Sequence, residues 1–262
     1  MLSNLNITSE FGNWYEHKSP FTHFRAKNVL TNIAYDKVST AFNIILDATN
    51  NINPENSAYR LRRSGQKNYD AWMLRINREL ATIFAPFFSE DFLRSLAELV
   101  SLPFIPRIEG ALHSSPSNSR TGWIHHDFCS AWFDESNPGE GILYPNNGCE
   151  YFTGKLVDPS AKPVEYVRAA ALIYYLCNDG WRNGDGGETA LYGAAKETIN
   201  TRYDLIKPIN NTLFFFRCSP HSYHRFITNP GMTRNSIILW LHMEAGFAES
   251  KWGESINRRS SK

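Results

Sequence analysis

The chain has 262 residues, of which 42% are apolar and 20% are charged, so it is long enough to bury the core of one large globular domain. Its 27 basic and 26 acidic side chains leave a net charge of +1 without a basic stripe, which argues against nucleic acid as a partner. No apolar run approaches the roughly eighteen residues of a membrane span, and the N-terminus lacks a signal-peptide pattern. We therefore expect a single cytoplasmic domain over residues 1–262 and no membrane partner.

The cysteines are widely spaced and form no C-x-x-C pair. In a chain without a signal peptide, this usage indicates reduced thiols of a cytosolic protein. The four residues are Cys129, Cys149, Cys177 and Cys218.

Residues 1–103 are predicted to be a mostly helical support. Between Val29 and Ile45 the apolar residues recur at helical spacing. A second helix is expected to start at Ser89, which can cap it, and the acidic residues at 90 and 91 suit the positive end of the helix dipole.

From residue 104 to residue 247 the pattern changes to short strands separated by turn signals. Many short strands at this spacing predict an all-β sandwich or barrel core, with the helices covering one face. The expected strands are 107–112, 122–128, 168–176, 189–192, 211–217, 224–227 and 234–242.

The segment 130–165 has no clear periodicity and is rich in glycine, proline, asparagine and aromatic residues. A loop of this length inside a compact domain is usually a lid or a binding loop. We expect Trp132, Tyr144 and Tyr151 to contact a substrate, although structural packing is an equal alternative for each of them.

A candidate metal site combines two distant places in the chain. On an extended strand, His125 and Asp127 share one face while His126 points the other way. The alternative for this pair is a core histidine beside a strand-end aspartate. His224, at the start of a later strand, is the expected third ligand, and His221 is the competing one. Two histidines and one carboxylate are typical of sites that hold Fe(II) and leave positions open for O2 and a co-substrate.

Arg234 follows His224 by ten residues and shares a strand face with Ser236. A buried guanidinium is costly unless it is paired, and its planar fork of donors matches a carboxylate. A carboxylate co-substrate is therefore expected here, with the Ser236 hydroxyl as a further donor. The alternative is an internal acid such as Glu188.

Five motifs in order resemble the Fe(II)/2-oxoglutarate-dependent dioxygenases, and their spacing resembles the prolyl-4-hydroxylase-like branch. The H-x-D pair is followed by Ile-Tyr-Tyr-Leu-Cys-Asn-Asp-Gly-Trp at 173–181, Gly-Gly-Glu at 186–188, His224 and Arg-Asn-Ser at 234–236. Pro-Phe-Thr-His-Phe at 20–24 also resembles the opening strand of that branch. One departure is that Cys177 stands where the family has an asparagine, which falls one place later.

The resemblance implies a mainly β fold with flanking helices: a double-stranded β-helix core, also called a jelly roll or cupin-like core, with N-terminal helices packed on one sheet. It implies Fe(II) as cofactor, held by His125, Asp127 and His224, with 2-oxoglutarate and O2 as co-substrates. Arg234 and Tyr175 would hold the far carboxylate of 2-oxoglutarate, together with Ser236.

We therefore expect a biosynthetic oxygenase that hydroxylates or otherwise oxidises an unactivated C–H bond, with release of succinate and CO2. The long aromatic loop favours a small-molecule substrate such as an amino acid, a peptide or a natural-product intermediate. The alternatives are a protein (prolyl) hydroxylase and, from another class, a non-catalytic cupin-like binding module. A zinc hydrolase is disfavoured because it would give Arg234 no role. Further candidates for the rim of the substrate site are His113, Arg120 and Trp181.

Overall fold

The computed structural model describes residues 13–50, 59–64, 69–197 and 201–258, which form two antiparallel sheets and five helices. The strands are β1 Asn13–His17, β2 His23–Lys27, β3 Arg62–Arg63, β4 Trp72–Arg75, β5 Ile108–Ser115, β6 Ser130–Asp134, β7 Pro163–Tyr175, β8 Thr189–Tyr192, β9 Asp204–Ile206, β10 Thr212–Arg217, β11 Tyr223–Phe226 and β12 Arg234–Glu244. The helices are α1 Asn32–Asn50, α2 Arg78–Ile83, α3 Ala85–Phe88, α4 Glu90–Leu99 and α5 Ala245–Trp252.

The large sheet has the strand order β1-β2-β10-β7-β12-β5-β4-β3, and β6 pairs with the first half of β7. Its central strands β7 and β12 are buried along most of their length. Strands that are covered on both faces have continuous apolar sequences, and for this reason the sequence predicted β7 and β12. The small sheet has the order β11-β8-β9. This arrangement confirms the predicted mainly β double-stranded β-helix.

Helices cover one face of the large sheet, as predicted. The ring of Phe87 in α3 lies 4.4 Å from the ring of Tyr174 in β7, centroid to centroid. A Cβ atom added to Gly110 in β5 would lie 2.6 Å from the ring of Phe88, so helix α3 packs closely on this strand and a larger residue would require that ring to move. None of the helices in the described ranges is long and apolar enough to cross a membrane.

The predicted helical character of residues 1–103 is only partly correct, because this region also contributes four strands. Strands β1 and β2 extend the large sheet beyond β10, and β3 and β4 extend it beyond β5. These edge strands are short and carry polar residues, so their sequences lack the apolar run that marks a central strand. Helix α1 spans Asn32–Asn50 where the sequence predicted 29–45.

Helix α4 begins after Ser89, as predicted, with two acidic residues in its first turn. The predicted side-chain cap is absent, because the Ser89 hydroxyl makes no capping hydrogen bond. Ser89 also caps the C-terminus of the preceding helix α3, where its backbone N–H donates to the carbonyl of Ala85. A single residue therefore serves both helix ends, which fixes its backbone between them.

The predicted strand at 122–128 is wrong, since the segment is extended but forms no continuous ladder. Gly122 donates to the carbonyl of Phe226 at 3.0 Å, and His125 pairs with His224 in an isolated bridge. Between these two pairs, two residues on one side thus face one on the other, which is the spacing of a β-bulge. The segment still lies beside β11, which brings His125 next to His224.

Candidate active site

The three predicted metal ligands lie together between the two sheets. One ligand atom from each of His125, Asp127 and His224 can be chosen so that all three lie within 4.8 Å of one another. The Nε2 atoms of His125 and His224 lie 3.6 and 3.7 Å from the carboxylate oxygens of Asp127. Two imidazole nitrogens and one carboxylate oxygen on one side of a cavity are the donor set that Fe(II) takes in oxygenases, so the residues present fit this ion.

Backbone carbonyls orient both imidazoles. The Nδ1 atom of His125 donates to the carbonyl of Trp123 at 2.9 Å, and Nδ1 of His224 donates to the carbonyl of Ser222 at 3.0 Å. A proton on Nδ1 leaves the lone pair on Nε2, which is the atom that faces Asp127 in each ring. Burial and then the neighbouring His125 lower the pKa of His224 to about 4, so this imidazole is neutral at pH 7, as a metal ligand requires.

Asp127 is held as a carboxylate by its neighbours. Burial acts to raise its pKa, but His224, His125 and Arg168 outweigh that effect and hold the pKa well below its ordinary range. The indole N–H of Trp240 donates to Oδ2 at 2.8 Å, and Arg168 Nη1 lies 3.7 Å from Oδ1. These contacts fix the orientation of the carboxylate towards the two histidines.

Arg234 lies at one end of the cavity with unused donors. Its side chain is buried, and its guanidinium lies over the rings of Tyr175 and Phe226, at 5.1 and 5.7 Å from their centroids. Among the described residues, the only hydrogen bond of its guanidinium is a long one of 3.5 Å from Nη2 to the hydroxyl of Thr189, and Nε is buried without a partner. Glu188, the internal acid that the sequence offered as an alternative, forms no ion pair in the described chain. Leaving buried donors without partners costs free energy, and an anion bound at this place would supply the missing acceptors.

A row of polar side chains crosses the sheet beside Arg234. His113, Ser236 and Tyr175 are direct neighbours on β5, β12 and β7. The Nε2 atom of His113 and the hydroxyl of Ser236 are both buried without a partner in the described chain. Burial and then Arg234 lower the pKa of His113 to about 3, so it is neutral at pH 7. The sequence placed His113 at the rim, whereas the structure places it in this row.

The cavity that joins these groups has a volume of about 300 Å³. Its walls include the metal trio, Arg234 and His113, together with Trp240 and Phe226. Four residues of the segment that carries β3 and β4 also line it, namely Ser64, Tyr69, Met73 and Arg75. The cover of the cavity therefore comes from the N-terminal region, and segment 130–165 supplies only Phe152.

Three aromatic residues predicted to contact a substrate do not line the cavity. The ring of Trp132 packs so closely on Gly154 that a Cβ there would lie 2.5 Å from it, and the ring of Tyr144 packs against Phe88. Tyr151 is buried, with its hydroxyl hydrogen-bonded to His242 at 2.7 Å. Strand β6 joins this segment to β7. Tyr151 then packs with Phe133 in a small core of its own, whereas Tyr144 packs against the main core.

Two other predicted rim residues bind to the protein itself. Arg120 pairs with Asp70 at 2.8 Å and fastens the segment before β4 to the loop that precedes His125. The indole N–H of Trp181 donates to the carbonyl of Gly186 at 2.8 Å. Neither side chain lines the cavity. Through these contacts, each holds a part of the chain in position.

The two competing histidines lie away from the metal trio. His126 is half-buried against the ring of Tyr223, at 5.4 Å between centroids, and His221 is exposed. The choice of His125 and His224 as the ligand pair therefore agrees with the geometry.

A buried charge network at the other end of the cavity was missed by the sequence analysis. Glu109 and Arg168 are almost fully buried and form an ion pair of 2.5 Å, and Arg75 approaches the second oxygen of Glu109 at 3.3 Å. The guanidinium of Arg168 stacks on Trp240, 3.8 Å from the ring centroid. The available signal was a charged residue inside each of two apolar strands, at Ile108–Ser115 and at Pro163–Tyr175.

Replacing Glu109 by glutamine is expected to lower the free energy of unfolding by about 3–5 kcal/mol at pH 7, because the variant leaves the Arg168 charge buried without its partner. Urea unfolding measures this change. The matched control is Glu90→Gln, which removes an exposed pair with Arg94 and should cost less than about 1 kcal/mol. Equal losses in the two variants would contradict the assigned network.

The same pair gives a pH dependence with a definite sign. Burial acts to raise the pKa of Glu109, but Arg168 and then Arg75 lower it more, so its pKa in the folded protein lies below the ordinary value. The stabilisation by this pair is therefore complete at pH values above the ordinary pKa of glutamate. It is lost as the pH falls through the lower pKa that Glu109 has in the folded protein. The difference between wild type and Glu109→Gln should shrink in acid.

The sequence matches the model of the 2OG-Fe(II) oxygenase superfamily over residues 150–242. The matched segment includes Tyr175, His224, Arg234 and Ser236, and it starts after His125 and Asp127. Among curated proteins, none matches this chain.

Solved structures resemble the fold at low sequence identity. A prolyl-4-hydroxylase from Pseudomonas putida is 12% identical with a TM-score of 0.56, and the match covers 89% of this chain and 94% of that one. A Trichoplax adhaerens prolyl hydroxylase in complex with a hypoxia inducible factor peptide fragment is 17% identical with a TM-score of 0.49, and covers 84% and 82%. The viral collagen prolyl hydroxylase of Paramecium Bursaria Chlorella virus-1 is 12% identical with a TM-score of 0.49, and covers 84% and 95%. At these identities the first match supports the fold alone.

Proposed function

We propose that this chain belongs to the 2OG-Fe(II) oxygenase superfamily and is a 2-oxoglutarate-dependent dioxygenase that uses Fe(II) and O2. Its reaction is the oxidation of an unactivated C–H bond of a small molecule, with release of succinate and CO2. The observation that carries the choice of substrate is the cavity. Its volume of about 300 Å³ is at the lower end of ligand pockets, and it must hold both 2-oxoglutarate and the reacting part of the substrate.

In this proposal, His125, Asp127 and His224 hold the iron. Bound Fe(II) supplies the activation of O2, which amino-acid side chains cannot perform. The contribution of the chain is to aim both imidazoles by backbone carbonyls, to keep His224 neutral, and to keep the Asp127 carboxylate ionised and fixed by Trp240. Aromatic side chains, among them Phe226 and Trp240, form part of the surrounding walls.

Arg234 then binds the far carboxylate of 2-oxoglutarate, and Ser236 and Tyr175 assist. The support is the Nε of Arg234 and the hydroxyl of Ser236, two buried polar groups without partners that a dicarboxylate would satisfy. The Tyr175 hydroxyl already shares a hydrogen bond of 2.9 Å with Thr189. His113 joins this set, because its Nε2 atom is a third buried group without a partner beside Ser236. Its neutral ring can donate one hydrogen bond to an anionic ligand.

Protein prolyl hydroxylation is the second candidate, because the fold matches a prolyl-4-hydroxylase and Trp123 is 44% exposed at the mouth beside His125. An exposed tryptophan at a cavity mouth is a typical contact for a peptide chain. The limited volume and the cover formed by Tyr69 and Met73 favour the small molecule over this alternative.

The test is a substrate panel given to the Fe(II)-loaded protein with 2-oxoglutarate and O2. The panel contains free amino acids, other small metabolites, and proline-containing peptides of increasing length. We expect a small molecule to raise succinate release above the level without substrate and to gain one oxygen atom by mass spectrometry. If only the peptides do so, the protein hydroxylase is the correct function; if succinate never forms, the chain is not an oxygenase of this kind.

A further inference from the structure

The cavity contains three arginines, and they differ in how fully their donors are used. Arg234 lies at one end, and Arg168 and Arg75 lie at the other with Glu109 between them. The co-substrate proposed above occupies the Arg234 end. The opposite end is therefore where a substrate would lie, and its charges restrict what that substrate can be.

Arg168 has little left to offer a ligand. Its Nη2 bonds to Glu109 at 2.5 Å, its Nε donates to the hydroxyl of Tyr151 at 3.1 Å, and its Nη1 faces Asp127 at 3.7 Å. The ring of Trp240 covers one face of its guanidinium. Arg168 is thus held in place on all sides and serves to join Glu109 to the metal centre.

Arg75 is in the opposite situation. Its side chain is 41% exposed, lines the cavity, and makes one ion-pair contact of 3.3 Å with Glu109. Within the described chain Glu109 is its only charged partner, so most of the five N–H donors of its guanidinium remain available. Glu109 already has Arg168 as a shorter and more buried partner. Neutralising Glu109 therefore does not explain the presence of Arg75.

The net charge of the cavity also favours an anion. The three arginines Arg75, Arg168 and Arg234 carry three positive charges, and Glu109 and Asp127 carry two negative ones, which leaves one positive charge. The two charges of Fe(II) and the two of 2-oxoglutarate cancel each other, so loading the enzyme does not change this balance. A narrow cavity with a net positive charge concentrates anionic ligands.

We infer that Arg75 binds a carboxylate of the substrate, so that the molecule oxidised is a small carboxylic acid, with free amino acids as the simplest class. This inference rests on the proposed function. The fork of Arg75 is suited to a two-point contact with a carboxylate. The Glu109–Arg168 pair links that anchor to Asp127, which fixes the distance from the bound carboxylate to the metal centre.

The test measures binding to the holoenzyme, loaded with Fe(II) and 2-oxoglutarate and kept without O2. The ligands are the standard L-amino acids and simple mono- and dicarboxylic acids, each compared with its own amide. We expect at least one acid to bind wild type about 10- to 100-fold more tightly than its amide, as a charge-assisted contact should. In Arg75→Gln this preference should fall to nearly one, and Arg75→Lys should restore part of it.

The matched control is Arg62→Gln, which removes an arginine from the adjacent strand β3 whose exposed side chain does not line the cavity. It should leave the preference for the acid unchanged. The melting curve of Arg62→Gln should match wild type, and that of Arg75→Gln should stay close to it, because Glu109 keeps Arg168 as its shorter and more buried partner.

The inference is overturned if no acid is preferred to its amide, or if the preference survives in Arg75→Gln. A failure of the proposed function looks different, because the holoenzyme would then neither bind 2-oxoglutarate in an iron-dependent way nor form succinate.

Discussion

His224→Ala protein is expected to lose iron-dependent 2-oxoglutarate turnover, by at least about 100-fold relative to wild type. His224 is buried in β11 with its Nε2 atom aimed at Asp127, so the change deletes one of three donors and leaves an incomplete site. Iron content after anaerobic loading and succinate formation are the two measurements. Both should fall together, since the loss of metal is the cause of the loss of turnover.

The chain offers matched controls for this variant. His221→Ala removes an exposed histidine three residues earlier, and His126→Ala removes the neighbour of His125 that faces Tyr223. Both should keep their iron and their turnover. A folded His224→Ala protein that still converts 2-oxoglutarate to succinate at the wild-type rate would remove His224 from the site.

Arg234→Gln protein is expected to need about 30- to 1000-fold more 2-oxoglutarate for half-maximal turnover, which corresponds to about 2–4 kcal/mol. The guanidinium is buried, lies over Tyr175 and has an unpaired Nε atom, so the bound carboxylate would be its main partner. Iron content should stay at the wild-type level, because Arg234 contacts no metal ligand in the described structure. The experiment therefore separates co-substrate binding from metal binding.

Arg225→Gln is the control for Arg234→Gln. Arg225 belongs to strand β11, next to His224, and its guanidinium lies over the ring of Tyr192, outside the cavity wall. Its removal should leave the dependence on 2-oxoglutarate unchanged. If the two variants behaved alike, Arg234 would be a structural arginine and the carboxylate would bind elsewhere.

The site residues that the sequence predicted are those that can be recognised from residue type and short spacing along the chain. The pair at 125 and 127 and the later His224 and Arg234 stood out because ligand-type residues recur at short, fixed spacings. The central strands were found because burial on both faces requires continuous apolar runs. The geometry preserves the association of His125 with Asp127 even though the expected strand at 122–128 is interrupted by a bulge.

The cover of the cavity was not predictable in the same way. Strands β3 and β4 are two and four residues long, and what brings Tyr69 to the cavity is pairing with β5, far along the chain. The long aromatic segment 130–165 looked like a lid, because composition does not reveal whether aromatic residues face a ligand or a core. Strand β6 holds this segment against the sheet, because it pairs with the first half of β7.

The Glu109–Arg168 pair could not be assigned for a similar reason. Each residue alone is a charge inside an apolar strand, and only the sheet topology shows that β5 and β7 are both neighbours of β12. The distance of 2.5 Å between the two side chains is a product of that topology.

Binding of 2-oxoglutarate under anaerobic conditions, titrated with and without Fe(II), shows whether the iron and the co-substrate share one site. We expect His125, Asp127 and His224 to take up one equivalent of Fe(II), and 2-oxoglutarate to bind tightly only after the iron is present. Equal binding of 2-oxoglutarate with and without Fe(II), or no binding in either case, would show that these residues and Arg234 do not form an oxygenase site.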